Sequence, residues 1–422
     1  IPSMIVTGGS MQPGQYCGKT VVEADLDAAR FSGASEEELM DMEDNVCPSF
    51  GACPSMGTAN TMQMLGEVLN LVLPGTSTIP ASDNAKLRKA REAGMYMVEM
   101  AKAGRKPSDL ITKEVLMNAI MFDMAVAGST NAVLHILSYA YELGIKLTLE
   151  DFEKYAEEIP CINAVVPSGP YTVVDFHYAG GVMNVMKMLE SKLYTNVPSM
   201  YGNTWADMLS KVKAQENKVI HSLEKPLFHE PGLKILRGNL SPNGAIVRPT
   251  AVYDEVKYMK GKAKVFEGDR PAFEAIMAGE IVPGDIIVIR YEGCKGAPGM
   301  KELMLSIDAL IGLGLDKSVG LISDARFSGF NYGAIIGHVS PEAYDGGNIA
   351  LVENGDEIVI DIPNGEVSML VSEEELERRR AAWVCPPLKE EKGCLNIFAK
   401  MCRPAEEGGA MQPWDLNAKF KR

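Results

Sequence analysis

Apolar residues in the first half of the chain recur every three or four positions, which is the spacing of one face of a helix. This pattern predicts a region dominated by helices up to about residue 225. The predicted helices cover residues 58–73, 84–103, 108–127, 131–143, 149–158, 181–191 and 204–216. Before them, residues 1–9 have the pattern of a short apolar strand that runs into a glycine turn.

The pattern changes near residue 229, where short apolar runs alternate with clusters of Gly, Pro, Asn and Asp. Such runs favour strands joined by turns, so they predict a β-rich, barrel-like or sandwich-like region. The predicted strands cover residues 244–248, 263–266, 286–290, 319–323 and 357–362, and the predicted helices cover residues 271–278 and 301–310. A charged helix is predicted at 373–383, followed by an irregular segment that contains cysteines.

These patterns divide the chain into three parts of an α/β protein. We predict a helix-rich N-terminal α/β domain at residues 1–228, a β-rich, barrel-like C-terminal domain at residues 229–378, and a tail at residues 379–422 that packs back on the body. The chain opens inside an apolar strand and has no initiator Met. We therefore expect the first part of the N-terminal domain to be absent.

The 422-residue chain has a formal net charge of −15, and 46% of its residues are hydrophobic. An acidic surface disfavours nucleic acid as a partner, because phosphate binding needs a basic face. No apolar run reaches the roughly 18 residues of a membrane span, and the start lacks a signal-peptide pattern, so we expect a cytoplasmic protein. The eight cysteines are spread along the chain, which is not the pattern of a small disulfide framework.

Two cysteines, Cys47 and Cys53, lie among small and turn-forming residues just before the helix predicted at residue 58. A thiol near a helix N-terminus is shifted toward the thiolate, which is the form that binds iron or zinc. The spacing is not that of a zinc knuckle, and no second Cys or His pair completes a four-ligand set. A tight turn with two buried thiols explains the segment equally well.

A glycine-rich loop follows the strand predicted at residues 286–290 and leads to Glu302. Loops of this kind expose backbone N–H groups that can bind anions. We place Glu302 in the first turn of the helix predicted at 301–310. There it is either a favourable partner of the helix dipole or a hard oxygen ligand for Mg²⁺.

Two further polar segments are candidates for a site. Arg326 and Ser328 follow the strand predicted at 319–323. A serine beside glycine at a strand end can point its hydroxyl into a cleft, and the alternative is an ordinary turn serine. Gly128 to Asn131 form a polar break between two predicted helices, where they can cap the second helix or bind the hydroxyl or carboxylate groups of a substrate.

Taken together, these segments resemble the dehydratase family that includes dihydroxy-acid, phosphogluconate, xylonate and arabinonate dehydratases. The matching stretches follow the family's order along nearly the whole chain. They are Ile5-Val-Thr-Gly-Gly, Gly51-Ala-Cys-Pro-Ser-Met-Gly-Thr-Ala-Asn, Leu73-Pro-Gly-Thr-Ser-Thr, Gly128-Ser-Thr-Asn-Ala-Val-Leu-His, Arg290-Tyr-Glu-Gly with Pro298-Gly-Met, Arg326-Phe-Ser-Gly and Gly337-His-Val-Ser-Pro-Glu-Ala. The resemblance implies an N-terminal α/β domain and a β-rich C-terminal domain, with the active site between them.

The resemblance also implies a reaction and three residue roles. Members of the family remove water from a 2,3-dihydroxy carboxylic acid to give a 2-keto acid. Cys53 matches the family's last iron–sulfur cysteine, Glu302 matches its Mg²⁺ ligand in the C-terminal domain, and Ser328 matches the serine thought to act as the base. The implied cofactors are Mg²⁺ and an iron–sulfur cluster of the 2Fe–2S or 4Fe–4S type. The implied assembly is a homodimer or a dimer of dimers.

Two departures from the family pattern bear on function. The family carries an upstream segment with the other cluster cysteines and further Mg²⁺ ligands, which this chain lacks, so we expect this fragment alone to be inactive. The chain also has Asp324-Ala-Arg-Phe-Ser-Gly-Phe, where dihydroxy-acid dehydratases usually have Asp-Gly-Arg-Phe-Ser-Gly-Gly. The sequence Asp-Ala-Arg is more typical of the sugar-acid dehydratases.

The main functional prediction is a dihydroxy-acid dehydratase of valine and isoleucine synthesis that acts on a small-molecule dihydroxy acid. A first alternative is a sugar-acid dehydratase that acts on an aldonate such as xylonate or gluconate. A second is a non-catalytic relative that lacks the cluster segment. A zinc enzyme is a more distant alternative, because the five histidines and scattered thiols form no recognisable zinc set.

Overall fold

The structure, a computed structural model, describes residues 1–412, so the last part of the predicted tail, 413–422, lies outside the described residues. Its N-terminal region is built mainly of helices, as predicted. The elements in chain order are β1 (Gly14–Tyr16), β2 (Lys19–Val21), α1 (Glu23–Phe31), α2 (Glu36–Val46), α3 (Thr58–Val68), α4 (Asn84–Lys102), α5 (Pro107–Leu110), α6 (Lys113–Val126), α7 (Thr130–Glu142), α8 (Leu149–Glu158), α9 (Val173–Tyr178), α10 (Gly181–Met188) and α11 (Trp205–Leu209). Helices α3, α6 and α7 pack around a large apolar core. Within the described range, no helix is both long enough and apolar enough to cross a membrane.

The helix predicted at 58–73 ends earlier, at Val68. Asn70 adopts a left-handed backbone with φ 61°, and the amide of Leu71 donates to the carbonyl of Gly66 at 2.8 Å. Asn is one of the few residues that readily adopt this conformation, so it ends the helix where the apolar pattern continues.

The helix predicted at 108–127 is divided into α5 and α6. The hydroxyl of Thr112 accepts a hydrogen bond from the amide of Val115, which starts a new helix. Helices α10 and α11 also end earlier than predicted, at Met188 and Leu209. The apolar spacing alone did not locate these boundaries.

The start of the chain differs most from the prediction. Residues 1–9 do not form a strand, and neither the β1–β2 hairpin nor helices α1 and α2 were predicted. Both helices bury only a thin apolar stripe, consisting of Leu26 in α1 and of Met42 and Val46 in α2. Such a narrow stripe gives little periodic signal in the sequence.

The C-terminal region is built around one mixed sheet of eight strands. Its elements in chain order are β3 (Lys234–Leu236), β4 (Gly244–Val247), β5 (Tyr258–Phe266), α12 (Asp269–Met277), β6 (Asp285–Ile289), α13 (Leu305–Gly312), β7 (Gly320–Ser323), β8 (Ile335–Ser340), β9 (Glu357–Asp361), β10 (Glu366–Met369), α14 (Glu373–Ala382) and α15 (Gly393–Met401). The strand order is β10-β9-β5-β6-β7-β8-β4-β3, in which β5 to β8 are parallel neighbours. All five predicted strands are present.

The first and last strands of this order are joined by Arg237. Its amide donates to the carbonyl of Gly365 at 2.8 Å, and its carbonyl accepts from the amide of Val367 at 2.8 Å. The sheet is therefore nearly closed into a barrel. This confirms the predicted α/β class, with a helix-rich first region followed by a barrel-like β-rich region.

The helix predicted at 301–310 begins only at Leu305. Gly299 and Met300 have φ values of 92° and 58°, which a right-handed helix cannot accommodate. Glu302 lies in the extended segment that follows, where it forms an isolated bridge with Arg326. The prediction that Glu302 lies in the first helical turn is therefore wrong.

The described part of the tail lies against the loop that leads to Glu302. After α14, which agrees with the helix predicted at 373–383, the indole N–H of Trp383 donates to the hydroxyl of Tyr291 at 3.1 Å. The ammonium group of Lys389 donates to the carbonyl of Tyr291 at 2.8 Å. Helix α15 follows in a segment that was predicted to be irregular.

Candidate functional site

A cavity of about 400 Å³ lies between the helical region and the sheet. Cys53, Glu302 and Ser328, the three residues predicted to carry chemistry, all line it. The other lining residues are Glu23, Ala24, Asp27, Ser55, Gly57, Thr58, Ala59, Leu303, Met304, Ile307, Asp308, Phe327, Phe330 and Asn331. The fold therefore brings together three segments that are far apart in the sequence.

The segment that carries Cys53 is fixed by backbone pairing and by one side chain. Ala52 exchanges two backbone hydrogen bonds, of 2.9 and 2.7 Å, with residues 9–11. Asn60, in the first turn of α3, donates its side-chain amide to the carbonyls of Cys53 at 2.6 Å and Ser55 at 2.8 Å. These bonds fix the backbone on both sides of the thiol.

The thiol of Cys53 is half-buried and lies 3.1 Å from the hydroxyl of Ser55. Burial raises the pKa of this thiol, and the hydrogen bond with Ser55 lowers it to a smaller extent. Helix α3 begins at Thr58, as predicted, but the pKa of the thiol is raised by burial and not lowered, against the expected shift toward the thiolate. A bound cation would be needed to stabilise the thiolate. Cys47 is exposed and does not line the cavity.

Glu302 is placed by its pairing with Arg326. The amide of Leu303 donates to the carbonyl of Arg326 at 2.8 Å, so the Glu302 segment runs beside the loop that carries Ser328. The guanidinium of Arg326 donates to the carboxylate of Glu302 at 2.9 Å and to the carbonyl of Met300 at 2.6 Å. Arg326 therefore orients Glu302 and balances part of its charge.

Two buried carboxyl groups hold the glycine-rich loop that precedes Glu302. Asp324 accepts hydrogen bonds from two of its amides at 3.1 and 3.0 Å, and Glu342 accepts from two others at 2.9 and 3.1 Å. Burial raises the pKa of Asp324 to about 6 and that of Glu342 to about 8. The N–H groups that were predicted to bind an anion are thus used by the protein's own carboxyl groups.

Ser328 lies in the loop that follows β7. Its Oγ accepts a hydrogen bond from the amide of Phe330 at 3.1 Å. A donor at this position stabilises negative charge on the oxygen, which favours loss of the hydroxyl proton. Phe327 and Phe330 place aromatic rings on the cavity wall beside it.

The predicted polar break at Gly128 to Asn131 caps a helix. The hydroxyl of Ser129 accepts a hydrogen bond from the amide of Asn131 at 3.1 Å and so caps α7. None of these residues lines the cavity. The capping interpretation is therefore confirmed for Ser129.

Three carboxyl groups on the cavity wall were missed by the sequence analysis, namely Glu23, Asp27 and Asp308. Burial raises the pKa of each of them. Repulsion from Asp27 adds to the effect of burial on Asp308, whose pKa rises to about 7. The available signal was one Asp inside the otherwise apolar helix α13, because α1, which carries the other two, was not predicted.

The cavity is rich in acids and lacks a matching basic group. No Lys or Arg lines it in the part of the chain that the structure describes. Within residues 1–412, no group of three or more His, Cys, Asp or Glu side chains is arranged to hold a metal ion. The site therefore attracts cations, and an anionic ligand would need a cation to accompany it.

Comparison with known proteins relates this geometry to a family. The family descriptions "Dihydroxy-acid/6-phosphogluconate dehydratase N-terminal" and "Dihydroxy-acid/6-phosphogluconate dehydratase C-terminal" match residues 1–208 and residues 218–409. The chain is 42% identical to the dihydroxy-acid dehydratase of Clostridium novyi over an alignment of 423 positions, gaps included. The alignment covers 98% of this chain and 76% of that protein.

Two archaeal proteins give the same result. The dihydroxy-acid dehydratase of Methanococcus aeolicus is 41% identical over 98% of this chain and 76% of its own length. That of Methanosarcina barkeri is 43% identical over 97% of this chain and 75% of its own length. With both family descriptions matched in order, this chain belongs to the dihydroxy-acid/6-phosphogluconate dehydratase family.

Proposed function

We propose that this protein is a dihydroxy-acid dehydratase, a hydro-lyase that converts a branched 2,3-dihydroxy carboxylic acid into a 2-keto acid in valine and isoleucine synthesis. The observation that carries the proposal is the meeting of Cys53, Glu302 and Ser328 in one cavity. Relatives named dihydroxy-acid dehydratase are 42%, 41% and 43% identical over nearly the whole chain, which supports the substrate class.

Removal of water from such a substrate meets two chemical obstacles. The proton at C2 is weakly acidic, and the hydroxyl at C3 is a poor leaving group. Both steps develop negative charge, which positive charge in the site would stabilise. Since the described cavity wall offers carboxyl groups and no Lys or Arg, that charge would be brought by bound cations.

The donors in the cavity match such cations in kind, but they do not complete a ligand set. We propose Cys53 as one thiolate ligand of an iron–sulfur cluster and Glu302 as one oxygen ligand of Mg²⁺. Within residues 1–412, neither residue belongs to a group of three or more His, Cys, Asp or Glu side chains that could hold a metal ion. When bound, these groups would supply Lewis-acid charge for the leaving hydroxyl and for the substrate carboxylate.

Ser328 is the proposed base for the C2 proton. Ser328 lines the cavity, and its oxygen accepts a hydrogen bond from the amide of Phe330. That bond alone cannot make serine a base near neutral pH, because a free hydroxyl is far too weak an acid. Ser328 would therefore work only when positive charge lies close to its oxygen.

The apolar part of the cavity wall favours a branched substrate. One set of lining side chains is apolar and suits alkyl groups, and it consists of Leu303, Met304, Ile307, Phe327 and Phe330. An aldonate would place hydroxyl groups against these side chains, where they lose hydrogen bonds to water. A sugar-acid dehydratase is the second candidate, because Glu23, Asp27 and Asn331 could bind additional hydroxyl groups.

Assembly, location and domain division are also proposals. We expect the protein to be cytoplasmic. We also expect a homodimer or a dimer of dimers, whose molar mass light scattering of the full-length protein would measure. The expected domains are residues 1–228 and 229–378, with the tail at 379–422 packed on them. Limited proteolysis would test the boundary near residue 228.

The function is tested by assaying keto-acid formation by the full-length protein after purification without oxygen. We expect turnover of 2,3-dihydroxyisovalerate and little turnover of a panel of aldonates. Turnover of aldonates alone would overturn the substrate assignment in favour of the sugar-acid alternative. Absence of turnover with every substrate, in protein that carries its cluster, would favour the non-catalytic relative.

Replacing the proposed base gives a sharper test. We expect Ser328→Ala to lower kcat by roughly 10³-fold or more while visible absorption is retained, because only proton transfer is removed. Ser318→Ala is a matched control, since its half-buried hydroxyl donates to the carbonyl of Leu315 outside the cavity. Near-normal turnover of Ser328→Ala would show that the base is another group.

A further inference from the structure

The carbonyls of the two residues next to Ser328, Phe327 and Gly329, accept hydrogen bonds from buried side chains in other parts of the chain. The hydroxyl of Thr130 donates to the carbonyl of Phe327 at 2.5 Å. The guanidinium of Arg248 donates to the carbonyl of Gly329 at 2.9 Å. Hydrogen bonds from distant side chains thus hold the backbone on the N-terminal and on the C-terminal side of Ser328.

Thr130, which binds the carbonyl of Phe327, lies in closely packed surroundings. Thr130 is fully buried at the start of α7, whose cap, Ser129, donates its amide to the hydroxyl of Thr61 at 3.0 Å. Gly128 lies so close to Asp123 that an added Cβ would be 1.9 Å from the carboxyl oxygen. The chain leading into Thr130 is therefore closely packed, which restricts the position of the Thr130 hydroxyl.

Arg248 connects the loop that carries Ser328 to the segment that carries Cys53. Arg248 follows β4 and is 1% exposed. Besides the carbonyl of Gly329, its guanidinium donates to the carbonyl of Met56 at 3.2 Å and to the hydroxyl of Ser168 at 3.1 Å. Met56 lies shortly after Cys53, so one planar group connects the two loops that meet at the cavity.

We propose that Thr130 and Arg248 are positioning residues that hold Ser328 in its reacting orientation by binding the carbonyls on either side of it. Gly329 has φ 80°, and a glycine beside the base leaves the loop free to rotate unless its neighbours are tied down. Proton abstraction is sensitive to displacements of about 1 Å, which such ties prevent. The inference rests on the proposed role of Ser328 as base.

Neither residue lines the cavity, so each acts through Ser328 and not by touching the substrate. A purely structural role would give a different result. Loss of a buried hydrogen bond would then lower the unfolding free energy without a selective effect on kcat. The test must therefore separate turnover from stability.

Thr130→Val is the main variant, because valine has nearly the shape of threonine and lacks the hydroxyl. Thr130→Ser restores the hydroxyl. Thr76→Val is the matched control, since Thr76 is also buried and donates to a backbone carbonyl, that of Leu73 at 2.7 Å, in a loop outside the cavity. Arg248→Lys keeps the charge but loses the planar group in which Nη1 binds the carbonyls of Met56 and Gly329 while Nη2 binds Ser168.

Two readouts are combined on the full-length protein. Steady-state kinetics with 2,3-dihydroxyisovalerate separate kcat from KM. Hydrogen-exchange mass spectrometry on peptides covering residues 327–333 reports the amide of Phe330, which Ser328 holds. For Thr130→Val and Arg248→Lys we expect kcat to fall roughly tenfold or more with KM changed less than about twofold, and exchange of that amide to accelerate.

The outcomes separate the inference from the proposed function. Thr130→Ser should lie near wild type in both readouts, and Thr76→Val should change neither. If kcat and exchange in Thr130→Val match those of Thr76→Val, the positioning role is overturned. If the wild-type protein forms no keto acid while Thr130→Val still accelerates exchange around Ser328, the proposed function fails and the positioning of Ser328 stands.

Discussion

At the residue scale, Asp308 is the cavity carboxyl group whose ionisation is shifted to near neutral pH, because burial and repulsion from Asp27 raise its pKa to about 7. In an unfolded chain the value is about 3.9. Between these values the folded protein holds a proton that the unfolded chain has lost. The resulting stabilisation is present below about pH 4 and is lost as the pH rises through 7.

We therefore expect Asp308→Asn, which cannot ionise, to remove this dependence. In the presence of a chelator, its melting temperature should exceed that of wild type at pH 8 and approach it at pH 5. Asp44→Asn on the exposed face of α2 serves as the control and should leave the pH profile unchanged. Superimposable profiles for wild type and Asp308→Asn would contradict the prediction.

Cys53 carries a second prediction at this scale. Cys53→Ser should abolish the visible absorption of protein purified without oxygen and lower its iron content, because a serine hydroxyl is a poor ligand for iron. Cys47→Ser should retain both, because Cys47 is exposed and lies outside the cavity. An unchanged spectrum in Cys53→Ser would mean that this thiol does not bind iron.

The sequence motifs singled out three residues that the structure brings into one cavity, but not the contacts that orient them. Cys53, Glu302 and Ser328 each lie in a recognisable local context. The ion pair of Glu302 with Arg326 and the hydrogen bond from Arg248 to the carbonyl of Gly329 join segments that are distant in the sequence. Local spacing carries no record of such contacts, so they were not predicted.

At the scale of elements, the loop at residues 290–302 depends on buried carboxyl groups. Asp324 accepts three amide hydrogen bonds, including one from Ala343 at 2.9 Å. We expect Asp324→Ala to leave those amides unpaired and to lower the unfolding free energy by about 3 kcal/mol, as measured by urea denaturation. We also expect kcat to fall, because this loop positions Glu302.

Two companion variants make this prediction specific. Asp324→Asn keeps one acceptor oxygen, so it should lose less stability than Asp324→Ala. Asp361→Ala removes a carboxylate that accepts the amide of Asn364 at 3.0 Å in an exposed turn, and it should cost less than about 1 kcal/mol. Equal losses in Asp324→Ala and Asp361→Ala would argue against an anchoring role for Asp324.

Two helices, α4 and α8, were predicted almost to the residue. α4 was predicted at 84–103 and observed as Asn84–Lys102, and α8 was predicted and observed over the same residues. Where the backbone is set by left-handed residues such as Asn70 and Met300, the apolar spacing continued across the actual boundary. The periodic pattern records burial, and these boundaries are set by backbone conformation.

At the scale of the whole molecule, the described part of the tail packs against the loop that leads to the site. Cys402 and Ala405 pack with Met300, Cys294 and Leu134 in one apolar cluster beneath the loop that leads to the site. Because Trp383 and Lys389 also bind this loop, undocking of the tail should loosen it. The described part of the tail therefore supports this loop from outside the cavity.

We expect Ala399→Asp to undock the tail, because Ala399 is 2% exposed and an unpaired carboxylate there would be costly to bury. Limited proteolysis should then show new cleavage between residues 383 and 412, and kcat should fall. Ile397→Asp on the same helix is the control, because Ile397 is 52% exposed. Equal protease resistance of wild type and Ala399→Asp would show that α15 does not secure the tail.

The backbone bonds of Arg237 to Gly365 and Val367 have a consequence for the protein at high concentration. A free sheet edge exposes a row of N–H and C=O groups on which a strand from another molecule can add, and repeated addition builds aggregates. Here the N–H and C=O groups of one residue, Arg237, are paired within the molecule where the first and last strands meet. Addition of a foreign strand at this point would first require Arg237 to leave both of its partners, which hinders growth of an aggregate from the junction.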